Sequence, residues 1–378
     1  MRIYLDNNAT TALHPAVLAA LQEALGSVYG NASSIHKEGQ TARRKIENAR
    51  EQVAQLIGAT AREIVFTSGG TESNNAAIFG AVPQSGRYHI VTTAIEHPSV
   101  AETVQELERR GHAITIVAPP RTGRVDAQHV IDAIRPDTRL VAIMLANNET
   151  GVVQPVGEIA RVCRERGIHM HCDAVQAAGK IDINVETLGV DTLAMSAHKL
   201  HAPKGIGALY VRKDLKLDPF LFGGSQERRR RAGTENVPLA IAFGVAAEIA
   251  RERPDVGELR DHFEQHLADM PMTINGATVP RLPNTSSITF HGADAEDIVI
   301  GLDLNGIAAS TGSACSSGRV EPSRILLAMG LSHDEARSTV RFSLSRFTTT
   351  DEIESAVEVV REIVPRTTRS TLISGPNA

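Results

Sequence analysis

Cysteine is scarce in this chain. Three thiols among 378 residues, an odd number, leave no disulfide framework and point to a reducing compartment. Long apolar runs are missing as well. The stretch LVAIMLA, Leu140 to Ala146, is far shorter than the roughly 18 residues a membrane helix requires. The first residues, MRIYLDNNAT, lack the basic-then-apolar order of a secretory signal, so a cytoplasmic protein without membrane contact is expected. No excess of positive charge is present either: 39 Lys and Arg against 44 Asp and Glu give a net charge of −5. That balance offers no general attraction to nucleic acid or anionic membrane. Internal repeats and low-complexity tracts are absent. What remains, 42% hydrophobic and 22% charged residues, is the composition of a soluble globule. At roughly 150 residues per domain, the length suggests two of them.

Short apolar runs alternate with helical periods over the first two-thirds of the chain. Glu63–Thr67, Tyr88–Thr92, Ala113–Val117, Leu140–Leu145, Ile168–Cys172 and Thr192–Ser196 read as strands, and Ser99–Arg110 shows the three- and four-residue spacing of a helix. Such alternation implies an α/β fold with a mostly parallel sheet covered on both faces. Ligands of such sheets gather beyond the carboxyl ends of the strands. After a long helix from about Pro238, the chain breaks around Pro254–Glu258. A smaller α+β domain follows, with strand-like SSITF, a helix in AEDIVIGLDLNG, then IAAS, RFSLS and a final helix. The last residues, TRSTLISGPNA, are polar and expected to fray.

Unusual polar residues follow several of these strands. In TSGGTESNNAAIFGA a Gly-rich turn opens a helix near Thr71, which places free N–H groups at a positive dipole end. Taken alone, the segment reads as a plain strand-to-helix turn capped by Thr71 with Glu72 in the first turn, because Gly-rich turns are common. It is neither a Walker loop nor a dinucleotide fingerprint. The run IHMHCD invites a metal reading, but strand alternation puts His169 and His171 on one side and Met170 and Cys172 on the other, and no second ligand pair has the right spacing. Asp173 ends its strand, where it serves as a cap or as counter-charge to a ligand cation. Lysine occurs only seven times, so each can be weighed singly. Lys199 follows a strand and is flanked by small, apolar and imidazole residues. Desolvation there depresses its pKa and frees the neutral amine as a nucleophile. Asp173 and Lys199 are one strand–helix–strand step apart. A carboxylate, an amine and an anion-binding helix start at one sheet edge suit pyridoxal 5'-phosphate: Asp173 for the pyridinium nitrogen, Lys199 for the aldehyde, the Thr71 turn for the phosphate.

At this point the chain resembles the cysteine desulfurases of the NifS/IscS type, within the aspartate-aminotransferase-like pyridoxal enzymes. The resemblance covers nearly the whole chain through YLDNNATT, GNASSIH, FTSGGTESNN, EHPSV, NNETG, DAVQAAGK, SAHKLHAPKGIGAL, QERRRRAGTEN, STGSACSS and RFSLSRFTT. It implies a fold-type I pyridoxal phosphate transferase. The large domain, 12–256, would carry a mostly parallel seven-stranded sheet, and the smaller α+β domain would comprise 1–11 and 257–378 with the cysteine loop. By the same resemblance His97 would stack on the cofactor ring, and Asn148 and Gln176 would meet its ring substituent. Gly70, Thr71, Ser196 and His198 would hold the phosphate, with Thr234 reaching it from a neighbouring subunit of a homodimer. Arg341 and Asn148 would grip the carboxylate of L-cysteine, a two-pronged contact that guanidinium geometry suits. His97 and Arg341 taken alone read as a strand-end residue and a surface ion pair.

Cys315 lies in ASTGSACSSGR, a small polar run without apolar periodicity. A thiol on such a loop can reach a buried substrate and then deliver cargo. Cys163 and Cys172 share faces with Ile159 and Met170 and read as packing residues. The resemblance therefore implies removal of sulfur from L-cysteine, giving L-alanine and a persulfide on Cys315. The sulfur would pass to an acceptor protein such as an iron–sulfur scaffold, or into tRNA or DNA thiolation. No resident metal is implied, and Cys315 would be the one attachment point for a transient iron–sulfur cluster. The run Arg228–Arg231 has no interleaved aromatics and reads as a loop near the phosphate site rather than a nucleic-acid surface. Here the sequence departs from the family, which shows a small residue near Arg229, an apolar one near Arg230 and glycine at Ser225. The tail is also shorter than in housekeeping members that dock a scaffold there. The rival readings are a selenocysteine lyase or an aminotransferase on the same scaffold, and a non-catalytic sulfur-carrier scaffold.

Overall fold

The structure, a computed structural model, describes residues 2–253, 255–311 and 321–367. Seven strands form the central sheet: β1 (Ile64–Thr67), β2 (His89–Thr93), β3 (Ala113–Val117), β4 (Thr138–Met144), β5 (His169–Asp173), β6 (Thr192–Ser196) and β7 (Gly207–Val211). Their spatial order is β1-β7-β6-β5-β4-β2-β3. All but β7 run in one direction; β7 is antiparallel to β1 and to β6. Six strands match the sequence expectation within two residues, and β7 is the addition. Its direction has a simple cause. The connection 197–206 is shorter than the dozen or more residues that a parallel crossover needs, so the chain must turn back beside β6.

Helices cover the sheet through apolar stripes. Pro98–Arg109 buries Val100, Thr103, Val104 and Leu107, the spacing of one helical face. Pro98 opens its first turn, and the His97 ring accepts the Ser99 N–H as its cap. The expected cap at Thr71 is corrected: the helix is Gly70–Ala81, Gly69 precedes it, no side chain caps it, and Thr71 lies inside. Strand β7 presses against this turn so closely that a Cβ on Gly207 would stand 2.7 Å from the Gly69 Cα. Cys163 and Cys172 are fully buried, and burial pushes the Cys163 thiol up to about 12 and the Cys172 thiol above its ordinary value, so both remain thiols.

A second core gathers Leu5, Phe263, Phe290, Leu302, Phe342 and Val360 around an antiparallel sheet of β8 (Met272–Ile274), β9 (Thr285–Phe290) and β10 (Thr339–Ser343), ordered β10-β9-β8. The strand Ile3–Tyr4 pairs in parallel with Ile307–Ala308, and Asp6 bridges to Ser343. The amino terminus is thus built into this core, and the next residues cross to the large sheet, where the Thr11 N–H donates to the His198 carbonyl. Helices Arg324–Ala328 and His333–Arg337 were not expected from the sequence. No helix among the described residues is long and apolar enough to cross a membrane.

The arginine run sits on an unusual turn. Glu227, Arg228 and Arg229 all adopt left-handed backbone, φ 44, 56 and 66°. For non-glycine residues such a run is strained and needs an external hold. The hold is a buried ion pair: Arg50 donates to both Glu227 oxygens, 2.8 Å for one, while the Phe66 N–H donates to Glu227 at 3.0 Å. Outside it, Arg228 meets Glu47, and Arg231 makes a forked contact with Glu72. Removing one partner of a buried pair strands the other charge. Glu227→Ala is therefore expected to destabilise the protein by about 3–5 kcal/mol, read as a lower midpoint in denaturant unfolding.

Candidate active site

The carboxyl ends of β1, β2, β4, β5 and β6 open on one cavity of about 300 Å³. It is lined by Gly70, Thr71, His97, Asn148, Asp173, Gln176, Ser196, His198 and Lys199, together with Ala9, Ser99, Met144, Ala146 and Val175. Each of these named polar groups ends a strand or lies within a few residues after one. The placement obeys the rule for open parallel sheets.

Lys199 ends a single 3-10 turn, Ala197–Lys199, directly after β6. Its amine is half-buried and donates to the carbonyls of Asn8 and Ala9, 2.7 Å for the latter. Burial, helped by the nearby Arg341 cation, brings its pKa down to about 8, against the pull of Asp6 and Asp173. Asp173 is 5% exposed; one oxygen accepts the Val175 N–H at 2.9 Å and the other an Asn74 amide hydrogen at 2.8 Å. It therefore both caps the turn after β5 and lines the cavity. Burial lowers the His97 pKa, although Asp173 opposes the shift. The His198 ring contacts the Thr10 hydroxyl at 3.2 Å, and burial with the Lys199 charge brings it to about 4.

At the phosphate-sized end, the helix Gly70–Ala81 starts without a capping side chain, so its first amides are free to take an anion. Gly70 leaves room there: a Cβ would stand 2.7 Å from a Val175 methyl. Behind the lining residue Asn148, Arg341 is buried, donating to the Asn148 carbonyl at 3.0 Å and to Asp6 at 2.7 Å. Its Nε and the Asn148 Oδ1 are buried without a partner among the described residues. Two orphaned polar atoms at one place are costly unless a ligand completes them. Free amides, a buried carboxylate and an amine held near 8 fit the phosphate, ring nitrogen and aldehyde of pyridoxal phosphate.

Of the residues implied by the resemblance, Arg341 and Thr234 are not among those that line the cavity. Thr234 is exposed and does not line this cavity in the single chain. Cys315 lies outside the described residues. His169 and His171 bond to the Thr192 hydroxyl at 2.9 and 3.0 Å, and no His, Cys, Asp or Glu cluster among the described residues is arranged to hold a metal ion. Sequence reading missed Asp6, Asn8, Asn74 and Lys180. The Asn8 carbonyl accepts from Lys199 and Gln176, and its side-chain oxygen accepts from Lys180 at 2.9 Å. Lys180 also donates to the Gln176 side-chain oxygen at 2.9 Å, which turns the Gln176 nitrogen toward Asn8.

The class-V aminotransferase model matches residues 3–355. The chain belongs to the class-V aminotransferase family. A cysteine desulfurase of Trichormus azollae is 47% identical over 372 residues, covering 96% of this chain and 93% of the relative. Among solved structures, a NifS-like protein superposes with a TM-score of 0.90 at 35% identity, covering 97% of this chain and all of its own. The structure described as SspA in complex with cysteine gives 0.84 at 36% identity, covering 92% of this chain and all of its own. Within the family, the chain stands among the cysteine desulfurases.

Proposed function

We propose that this chain uses pyridoxal phosphate to take sulfur from L-cysteine, releasing L-alanine and carrying the sulfur on Cys315 as a persulfide. The observation that carries the reading is the amine of Lys199, brought to about 8 by burial and facing the same cavity as the buried carboxylate of Asp173. An amine in that state is nucleophilic near neutral pH, and an acid beside a heteroaromatic nitrogen keeps that nitrogen charged.

The bound cofactor supplies an electron-withdrawing ring that makes the α-proton of the amino acid acidic. The chain does the rest. Lys199 would hold the cofactor through its amine, and the neutral Nζ is the base for the α-proton, with His97 as its partner in proton movement. Arg341 and Asn148 orient the substrate carboxylate, using hydrogen-bonding capacity that no group among the described residues fills. Gly70, Thr71, Ser196 and His198 hold the phosphate, and Thr234 joins them from a second subunit of a homodimer. The Cys315 thiolate then attacks the substrate sulfur. A sulfur–sulfur bond forms, the carbon–sulfur bond breaks with its electron pair left on the β-carbon, that carbon takes up a proton, and the α-carbon regains the proton held at Lys199 as L-alanine departs. The persulfide passes to an acceptor protein such as an iron–sulfur scaffold.

The direct test is incubation of the yellow protein with L-cysteine labelled at sulfur. Alanine is expected in step with protein-bound label that a thiol reductant releases as sulfide. Formation of a keto acid in place of alanine would instead make the chain an aminotransferase. Label transfer in lysate then identifies the acceptor.

A further inference from the structure

Asn74 is a polar residue in the apolar stripe of its helix. It is fully buried, as are Ala77, Ile78 and Ala81 three, four and seven positions on. Its side chain touches three groups. One amide hydrogen goes to Asp173 at 2.8 Å and the nitrogen also reaches the Ser99 hydroxyl at 2.7 Å. Its oxygen faces the His171 Nε2 at 3.0 Å. Beyond Ser99 stands the His97 Nδ1, 2.8 Å from that hydroxyl. Beyond His171 stand the Thr192 hydroxyl at 3.0 Å and then the His169 Nε2 at 2.9 Å from it.

Chemistry fixes the direction of every bond in this chain. A carboxylate only accepts, so the Asn74 nitrogen must face Asp173 and its oxygen must face His171. His171 therefore carries its proton on Nε2, and its Nδ1 accepts from the Thr192 hydroxyl. That hydroxyl, having spent its one proton, accepts from the His169 Nε2. On the other branch the Ser99 hydroxyl accepts from Asn74 and spends its own proton on the His97 Nδ1, which also accepts the Ser99 N–H at 3.1 Å. The His97 proton is left on Nε2. Both inner histidines are neutral: burial brings His169 to about 4 and His171 to about 3. Glu96, Cys172, Lys199 and Arg324 are the other charged or titratable groups coupled electrostatically to Asp173 or His97; burial raises the Glu96 carboxyl to about 8 and keeps Cys172 a thiol.

We propose that Asn74 is the positioning residue that sets both cofactor-facing groups at once, orienting the Asp173 carboxylate directly and the His97 tautomer through Ser99. The proposal rests on the reading above that Asp173 and His97 face pyridoxal phosphate. Asparagine is the one residue of this size that donates two hydrogens and accepts on the same planar group. Aspartate has the shape without the donors, and leucine the approximate bulk without either.

The experiment compares the parent with N74D and N74L. In the cofactor-free parent, imidazole nitrogen NMR is expected to show His171 and His97 neutral and protonated at Nε2. In N74L, His97 is expected to lose that single tautomer. Pyridoxal phosphate affinity, titrated by visible absorbance, is expected to fall about tenfold or more in both variants at pH 8, the scale of one charge-assisted hydrogen bond. N74D is expected to regain affinity relative to the parent as pH falls toward 6. Two adjacent carboxylates hold one shared proton, so the introduced carboxyl then becomes a donor again. N74L is expected to show no such recovery. An unchanged His97 tautomer in N74L, or equal losses in both variants at every pH alongside lowered melting temperatures, overturns the proposal. Expected tautomers in a parent that takes up no pyridoxal phosphate would uphold the hydrogen-bond chain and sink the cofactor reading instead.

Discussion

Lys199→Ala is expected to yield a folded, colourless protein whose release of alanine from L-cysteine falls by a factor on the order of 10⁴ or more, the scale seen when a covalent catalytic group is deleted. Fold should survive, because the amine donates only to the carbonyls of Asn8 and Ala9 and fills no apolar gap in the core. The pH dependence carries more information than the loss itself. A lysine pKa of about 8 leaves roughly a tenth of the amine neutral at pH 7. The rate at which the cofactor-free parent takes up pyridoxal phosphate should rise with pH from about 6 and level above about 9. An ordinary lysine would keep rising past about pH 10. Rapid mixing followed by absorbance gives the profile, and a midpoint near about 10.5 would show that the amine is neither buried nor depressed.

Much of this site was legible because it follows from strand direction. Asp173 and Lys199 stand at the ends of β5 and β6, neighbours in the sheet with Asp173 opposite Ala194. Strand-to-helix alternation alone places such residues on one edge. What was not legible depends on contacts between distant segments. Asp6 and Asn8 belong to the amino terminus, yet they pair with Arg341 and Lys199, 335 and 191 positions away. No periodicity in the chain announces that. Strand β7 and the buried Asn74 were missed although signals existed. For β7 the signal was a connection too short to cross the sheet. For Asn74 it was an amide standing in the apolar face of an otherwise regular helix. A buried polar residue within an apolar stripe requires partners, so its position in the sequence already marks a place where polar groups must converge.

The two cores explain why the site lies where it does. The large sheet supplies the turn before Gly70, Asp173 and Lys199 to the cavity, and the smaller sheet carries Arg341 on β10, bonded to the lining residue Asn148. Residues 6–11 join them, with Asp6 on Arg341 and the Thr11 hydroxyl donating to the His198 carbonyl. In the proposed reaction, a substrate carboxylate drawn to Arg341 would meet a cation already balanced by Asp6. Binding then depends on the orphaned Nε and the Asn148 amide rather than on a bare charge. Such an arrangement favours a ligand that matches the fork geometrically over any passing anion.

Cys315→Ala is expected to separate the two halves of the proposed reaction. The described groups lining the cofactor cavity are unchanged in this variant, so pyridoxal phosphate should bind with parent affinity and the protein should stay yellow. L-Cysteine should still perturb the absorbance on mixing, since Lys199, Asp173, Asn148 and Arg341 are intact. Alanine release should nevertheless fall by a factor on the order of 10³ or more, because no other thiol can take the sulfur. Cys163 and Cys172 are fully buried with their thiols raised by burial, the former to about 12, and a protonated buried thiol is a poor nucleophile. The measurement is alanine formed per minute beside the absorbance change on adding substrate. Full alanine turnover in the variant would remove Cys315 from the reaction. Loss of the absorbance change would instead mean that the substitution had disturbed substrate binding.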